Sequence, residues 1–256
     1  ALYMTKPVIL KLGYRPTFFM TGLMFLVFAI PCMLFVKGPG PKGTAEGPRG
    51  SRGFLSRTLR KLKRSYRDIS GIKGFRDFLK ASFLALCAVN TIIIFMLVYA
   101  GKVFGLKEEG LIDLIAFSTL FAIAGSMVSG YLSDRVGYRR SLLGVFALWG
   151  ICIFLGAFAT PPMVWCLGAL VGTSLGGTWV ILRAMVVKLI PEGMMGEAFG
   201  VFNLVSYLSG VVGPLFWGLI LLYFNRFGDL GYRMAFLSLI VFIAAGTAFL
   251  LKMEKA

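Results

Sequence analysis

The chain has 256 residues, of which 58% are hydrophobic and 15% charged, and its mean hydropathy of +0.83 places it far outside the range of water-soluble domains. A formal net charge of +16 comes with no histidine, so the commonest general base and the usual zinc ligand are both missing. The four cysteines, Cys32, Cys87, Cys152 and Cys166, are scattered through apolar runs without ligand-like spacing; no metal site, disulfide framework or catalytic constellation is expected.

Apolar runs occupy residues 16–36, 81–101, 111–132, 141–160, 162–190, 198–224 and 232–251. Each is near or above the roughly 20 residues an α-helix needs to cross the hydrocarbon core. They are continuous rather than alternating, which argues against a β-barrel, and unpaired backbone groups are intolerable in lipid, so the spans are read as helices. The expectation is an all-α polytopic membrane protein with seven transmembrane helices. The chain begins with Ala1, and the segment before the first run lacks the pattern of a cleaved leader, so it reads as a piece of a longer protein.

Residues 1–36 carry the first span. Residues 37–80 then hold thirteen of the 27 lysines and arginines against three acidic residues. Their first part, KGPGPKGTAEGPRGSRG, has too much proline and glycine for a helix and reads as a linker. The stretch over about 54–68 spaces Leu55, Leu59, Leu62 and Tyr66 by three and four residues among basic side chains, the pattern of an amphipathic helix on a membrane surface. It can meet anionic lipid headgroups, or it can be a solvated charge run that only sets topology. Counting charges by side makes the 37–80 loop and the C-terminus cytoplasmic, and this asymmetry accounts for the basic charge without nucleic acid.

Residues 81–256 hold six spans joined by short loops, hence antiparallel neighbours in one bundle. In its first helix Asn90 is a candidate for a solute path, and Thr91 is expected to bond back to its own helix. The second helix repeats Ala122, Ser126 and Gly130, and the fourth repeats Gly168, Gly172 and Gly176; four-residue steps of small residues let helices approach closely in lipid. Between the second and third helices stands GYLSDRVGYRR, in which Gly130 and Gly137 suit close approach and a tight turn, Asp134 suits pairing with an arginine, and Arg135, Arg139 and Arg140 hold one membrane side. Arg183 lies inside the fourth span, about 10 Å by helical rise from its end at Ile190. It either snorkels to the headgroups or serves a site, binding an anionic solute group or gating against Glu192 or Glu197. The fifth helix carries Asn203, Ser206, Tyr207, Gly210, Gly213 and Pro214 on one side, a stripe that lines a cavity or glues helices together. Asp113, the one carboxylate within an apolar run, sits near a boundary, and no carboxylate falls near a midplane.

The GYLSDRVGYRR stretch resembles the Gly-x-x-x-Asp-Arg-x-Gly-x-Arg/Lys pattern that the major facilitator superfamily carries between the second and third helices of each six-helix half. One helix, a long basic loop and six helices resemble the sixth to twelfth helices of such a transporter. Residues Gly176, Gly177, Thr178, Arg183, Leu189, Ile190, Pro191, Glu197, Phe199 and Gly200 are similar in register to the UMF1, or Atg22-like vacuole-effluxer, branch. The chain departs from that branch at Ala85–Ala88, where a Tyr-Asn-Asp-Gly run would stand, and at Leu182 and Ala184, where hydroxyls would flank the arginine, so the resemblance bears on fold more than on substrate. It implies a transporter working by alternating access on a small solute such as an amino acid, with an N-terminal half as partner; Gly130, Asp134, Arg135, Gly137, Arg139 and Arg140 are expected to form its conformational switch, Asn90, Thr178, Arg183, Glu197, Asn203 and Tyr207 are the candidates for path or gate, and no cofactor is expected. The rival readings are another cargo class, such as a drug, sugar or anion, and a non-transporting scaffold or receptor that recruits lipids or proteins through the basic linker. No phosphate-loop pattern is present, so ATP has no expected role.

Overall fold

The computed structural model describes residues 14–35, 71–72 and 74–253; the linker and its 54–68 helix lie outside the described residues. By backbone proximity the chain divides into two compact units, Ala1–Arg57 and Thr58–Ala256. The first contains α1 (Tyr14–Phe35), an apolar helix with Pro31 inside it.

The second unit contains α2 (Phe75–Phe104), α3 (Glu108–Val136), α4 (Tyr138–Phe158), α5 (Val164–Leu189), α6 (Met195–Phe224), α7 (Asp229–Ser238) and α8 (Ile240–Lys252). Only Leu239 separates α7 from α8, and together they form the last span. Seven helical segments are thus long and apolar enough to cross a membrane, and no strand occurs among the described residues, as the all-α polytopic reading requires.

One boundary differs from the sequence reading. The first bundle helix starts at Phe75 rather than 81, so Arg76, Asp77 and Lys80 belong to a helix instead of the linker. The three charges hid its first turns, although Phe75, Phe78 and Leu79, at i, i+3 and i+4, are the residues that turn inward and are buried.

The connections are short and locally specified. Gly105 ends α2 with φ +67, its N–H donating to Ala100 O. Pro161 opens a single 3₁₀ turn before α5, and Pro191 precedes another before α6; proline cannot continue the helix before it but suits the first turn of the next. Glu108 and Glu109 sit in the first turn of α3, where carboxylates oppose the positive helix end. Because the spans alternate in direction, one end of the bundle gathers the start of α2, the α3–α4 turn, the α5–α6 connection and the end of α8. It is called the Gly137 end below.

Lipid is as apolar as the side chains, so association of these helices rests on close van der Waals contact rather than on removal from water. α3 lies along α5, α2 is held between α6 and α8, and α4 packs on α5. The interior is aromatic: Tyr99 and Phe236 stack at 4.6 Å between ring centroids, Trp217 and Phe95 at 5.6 Å, and Trp149 is fully buried.

Candidate functional site

The motif at the Gly137 end is built on two helix termini and not on a loop. α3 runs to Val136 and α4 begins at Tyr138, leaving Gly137 alone between them at φ +96, ψ 142. A side chain would strain that backbone, which is why glycine stands there. Gly137 N–H donates to Ser133 O and its carbonyl accepts from Ser141 N–H, so one residue reverses the chain while serving both helix ends.

Asp134 does not pair with an arginine among the described residues. Its Oδ1 accepts from the Tyr138 hydroxyl at 2.7 Å across the turn. Arg135 instead lies over the Tyr131 ring at 4.4 Å, one turn back on α3. Arg139 leaves the motif altogether: its Nε donates to Leu250 O at 3.1 Å and its Nη2 to Leu251 O at 2.7 Å, the last carbonyls of α8. A guanidinium is the one side chain whose planar fork can serve two successive carbonyls at a negative helix terminus. Arg140 is exposed. At the opposite end of the bundle Arg233 makes the reciprocal contact, its Nη1 donating to Ala157 O at 2.7 Å and Ala159 O at 3.1 Å at the end of α4. Nothing in the spacing of Arg233 singled it out; its partners come from a helix some 75 residues away.

The small-residue stripes meet as a seam. A Cβ added at Gly172 would stand 2.1 Å from Ser118 O, one at Gly176 2.0 Å from Ala122 O, and one at Gly168 2.7 Å from Leu114 Cδ1. Gly130 is the exception, with its nearest neighbour Val180 Cγ1 at an ordinary 3.8 Å. The close approach expected there is made one turn earlier by Gly125, against the Thr173 backbone at 2.6 Å, and by Gly177 against Ser129 Oγ at 2.5 Å. Four-residue spacing could not find these two, since neither continues a stripe.

A second seam joins α2 to α6. Asn90 Nδ2 donates to Ser209 Oγ at 2.9 Å and to Ser206 O at 3.4 Å, while Thr91 Oγ1 bonds back to Cys87 O at 2.6 Å. Gly213 lies where a Cβ would meet Cys87 O at 2.1 Å, and Pro214 follows inside α6 without ending it. Asn90 is therefore a helix-to-helix tie in this arrangement. Asn203 and Tyr207, on the same helix, are exposed on the bundle surface.

Thr178 lies in the bundle interior in this arrangement. It is fully buried, accepts from Trp149 Nε1 at 2.8 Å and donates to Ser174 O at 2.7 Å, so both functions of its hydroxyl are used inside the bundle. Thr178→Val should leave the buried indole N–H unpaired at a cost of about 1–3 kcal/mol. Thermal unfolding in detergent reads this as a lowered Tm, and Trp149→Phe added to Thr178→Val should recover part of the loss because no donor is then stranded. Arg183 is exposed and lies over the Trp179 ring at 5.5 Å; it forms no ion pair with Glu192 or Glu197 among the described residues. Glu192 and Glu197 are exposed on the α5–α6 connection and the first turn of α6. No group of three or more potential metal ligands occurs among the described residues.

The bundle thus presents a rigid motif at one end, two tight seams, and outward polar groups on α5 and α6. Comparison with known proteins agrees with this architecture. The family model described as the Major Facilitator Superfamily matches residues 7–214 and 110–256. The chain is 25% identical over 219 residues to the uncharacterized MFS-type transporter YxiO of Bacillus subtilis, covering 82% of this chain and 48% of that protein. It is 29% identical over 168 residues to a Na(+), Li(+), K(+)/H(+) antiporter of Planococcus maritimus, covering 61% and 38%. It is 24% identical over 262 residues to autophagy-related protein 22-1 of Penicillium rubens, covering 94% and 43%. The chain spans about half the length, or less, of these curated relatives.

Proposed function

The chain belongs to the major facilitator superfamily, a family of multi-pass membrane transporters of small solutes, and from that premise we propose that it supplies the C-terminal part of a secondary or facilitative transporter working by alternating access. The observation that carries the proposal is the Gly137 end. There one glycine joins α3 to α4, Asp134 bonds to Tyr138, and Arg139 reaches the end of α8, so three spans are tied into one block at one membrane face.

A block of this kind can tilt as a unit against a second half without losing its internal hydrogen bonds. That is what exposing a central site first to one side and then to the other demands of each half. Arg76, Lys80, Arg135, Arg139, Arg140, Lys188 and Lys252 share the Gly137 end, while Lys102, Lys107, Arg226 and Arg233 share the other; this asymmetry favours the cytoplasm for the Gly137 end. The exposed Arg183, Asn203 and Tyr207 are the polar groups best placed to face a solute or the other half, with Arg183 suited to a carboxylate or phosphate. A small metabolite such as an amino acid, moved outward, is the cargo implied by the resemblance of residues 176–200 to the vacuole-effluxer branch.

The test uses the full-length protein in proteoliposomes with labelled amino acids, with and without imposed proton and sodium gradients. Asp134→Asn should slow flux about tenfold at unchanged insertion and expression, because the neutral amide accepts the Tyr138 proton more weakly and loosens a turn that has to move as one block. Tyr138→Phe should slow it at least as much, because it removes the hydrogen bond that Asp134→Asn only weakens. Normal flux in both variants at normal expression would sink the proposed role of the turn.

A further inference from the structure

We infer that the groove between α2, α6 and α8 at the Gly137 end is a seat for one anionic glycerophospholipid. The cavity is about 270 Å³. Its floor is apolar, made by Leu79, Phe83 and Leu84 of α2, Val205 of α6 and Phe249 of α8, and its rim carries Arg76 and Lys80. Lys80 Nζ lies 5.4 Å from the centre of the Phe249 ring, and Lys252 Nζ, which does not line the cavity, lies 5.8 Å from the same ring, so two cations line the groove and a third stands near it. Among the described residues the carboxylate beside them is Asp77, 3.7 Å from Lys80, which leaves the two lining cations with a net positive charge.

Polarity is ordered along the groove as it is along a lipid. Arg76, Lys80 and Lys252 occupy the first turns of α2 and the last turn of α8, at the edge of the bundle, while Phe83 and Leu84 lie a turn deeper. A phosphodiester at the rim would meet a guanidinium able to hold two of its oxygens and the Lys80 ammonium, with Lys252 adding positive charge nearby, and an acyl chain would run over Phe83, Leu84 and Val205. A soluble anion would leave that apolar floor unused. The contrast is the cavity of about 250 Å³ between α2, α3, α4 and α5, which has no charged lining, and whose Ser118 and Thr119 hydroxyls are bonded back to their own helix. The seat rests on the reading that the Gly137 end meets the anionic leaflet.

The test is thermal unfolding of the full-length protein in neutral detergent, titrated with phosphatidylglycerol, phosphatidylcholine or water-soluble glycerol 3-phosphate. Phosphatidylglycerol should raise Tm saturably while the other two do not. Arg76→Gln with Lys80→Gln should weaken the apparent affinity at least tenfold, and Leu84→Trp, which fills the floor and keeps every charge, should do the same. Lys102→Gln with Lys107→Gln, the same loss of charge at the other end, should retain the response. The inference is overturned if the Arg76/Lys80 variant responds like the parent protein, if phosphatidylcholine matches phosphatidylglycerol, or if glycerol 3-phosphate reproduces the shift. Micelles have no leaflets, so failure here is separable from failure of the orientation, which labelling of Glu192→Cys in sealed vesicles reads independently.

Discussion

Gly176→Val is expected to abolish folded protein, with the protein lost to aggregation on size-exclusion chromatography. An added side chain in a packed interior usually costs about 1–3 kcal/mol because neighbouring side chains shift to admit it. At Gly176 the obstructing atoms are backbone: Ala122 O at 2.0 Å and Ser126 N at 2.9 Å from the added Cβ. Relief therefore requires α3 and α5 to separate along their length, which also opens the neighbouring contacts of Gly172 with Ser118 and of Gly125 with Thr173. Since helix association in lipid depends on close contact over the whole seam, the loss should exceed the usual range for overpacking. Gly150→Val in α4, where nothing lies within 4 Å of an added Cβ, is the matched control and should fold. Equal yields of the two variants would show that the α3–α5 contact is looser than described.

Arg139→Gln is expected to lower Tm by several degrees and to raise hydrogen exchange at the end of α8, while leaving the α3–α4 turn protected. The guanidinium serves two terminal carbonyls at once, and a hydrogen bond to a charged group contributes about 1.5–3 kcal/mol. Arg139→Lys should rescue little, since an ammonium on a flexible stem does not hold two carbonyls in a fixed fork. Arg233→Gln should give the mirror effect at the other end of α4, partly offset by Tyr99, whose hydroxyl keeps its bond to Gly156 O at 2.7 Å. If both single variants match the parent, and the double variant as well, the two arginines do not clasp α4 to the last span.

These two expectations draw on different levels of information. The glycine stripe of α5 was legible in the sequence because its step of four residues is the repeat of a helix face, and a helix face rich in glycine in lipid has close packing as its simplest use. Gly137 was legible for a similar reason, standing in a short break between apolar runs. The span count, the all-helical character and the motif itself likewise follow from composition and order alone, because a bilayer leaves the backbone few alternatives to the helix.

Partners were not legible, and for a physical reason: a charge in a sequence carries no direction. Asp134 invited an arginine on the grounds of charge, yet in a turn of one residue the nearest donor in reach is the Tyr138 hydroxyl. Arg139 looked like a marker of topology and finds its carbonyls 111 and 112 residues away. Thr178 and Asn90 looked like groups for a solute, and the fold uses the first to satisfy Trp149 and the second to bind α6. The start of α2 was hidden because Arg76, Asp77 and Lys80 break an apolar run that its buried face continues. The sequence alone determined that this protein crosses the membrane as helices, because hydrophobicity acts on each segment separately. Which helix each polar group ties to which other was decided only by the tertiary structure, because a hydrogen bond needs two groups in one place, and sequence separation does not report distance in space.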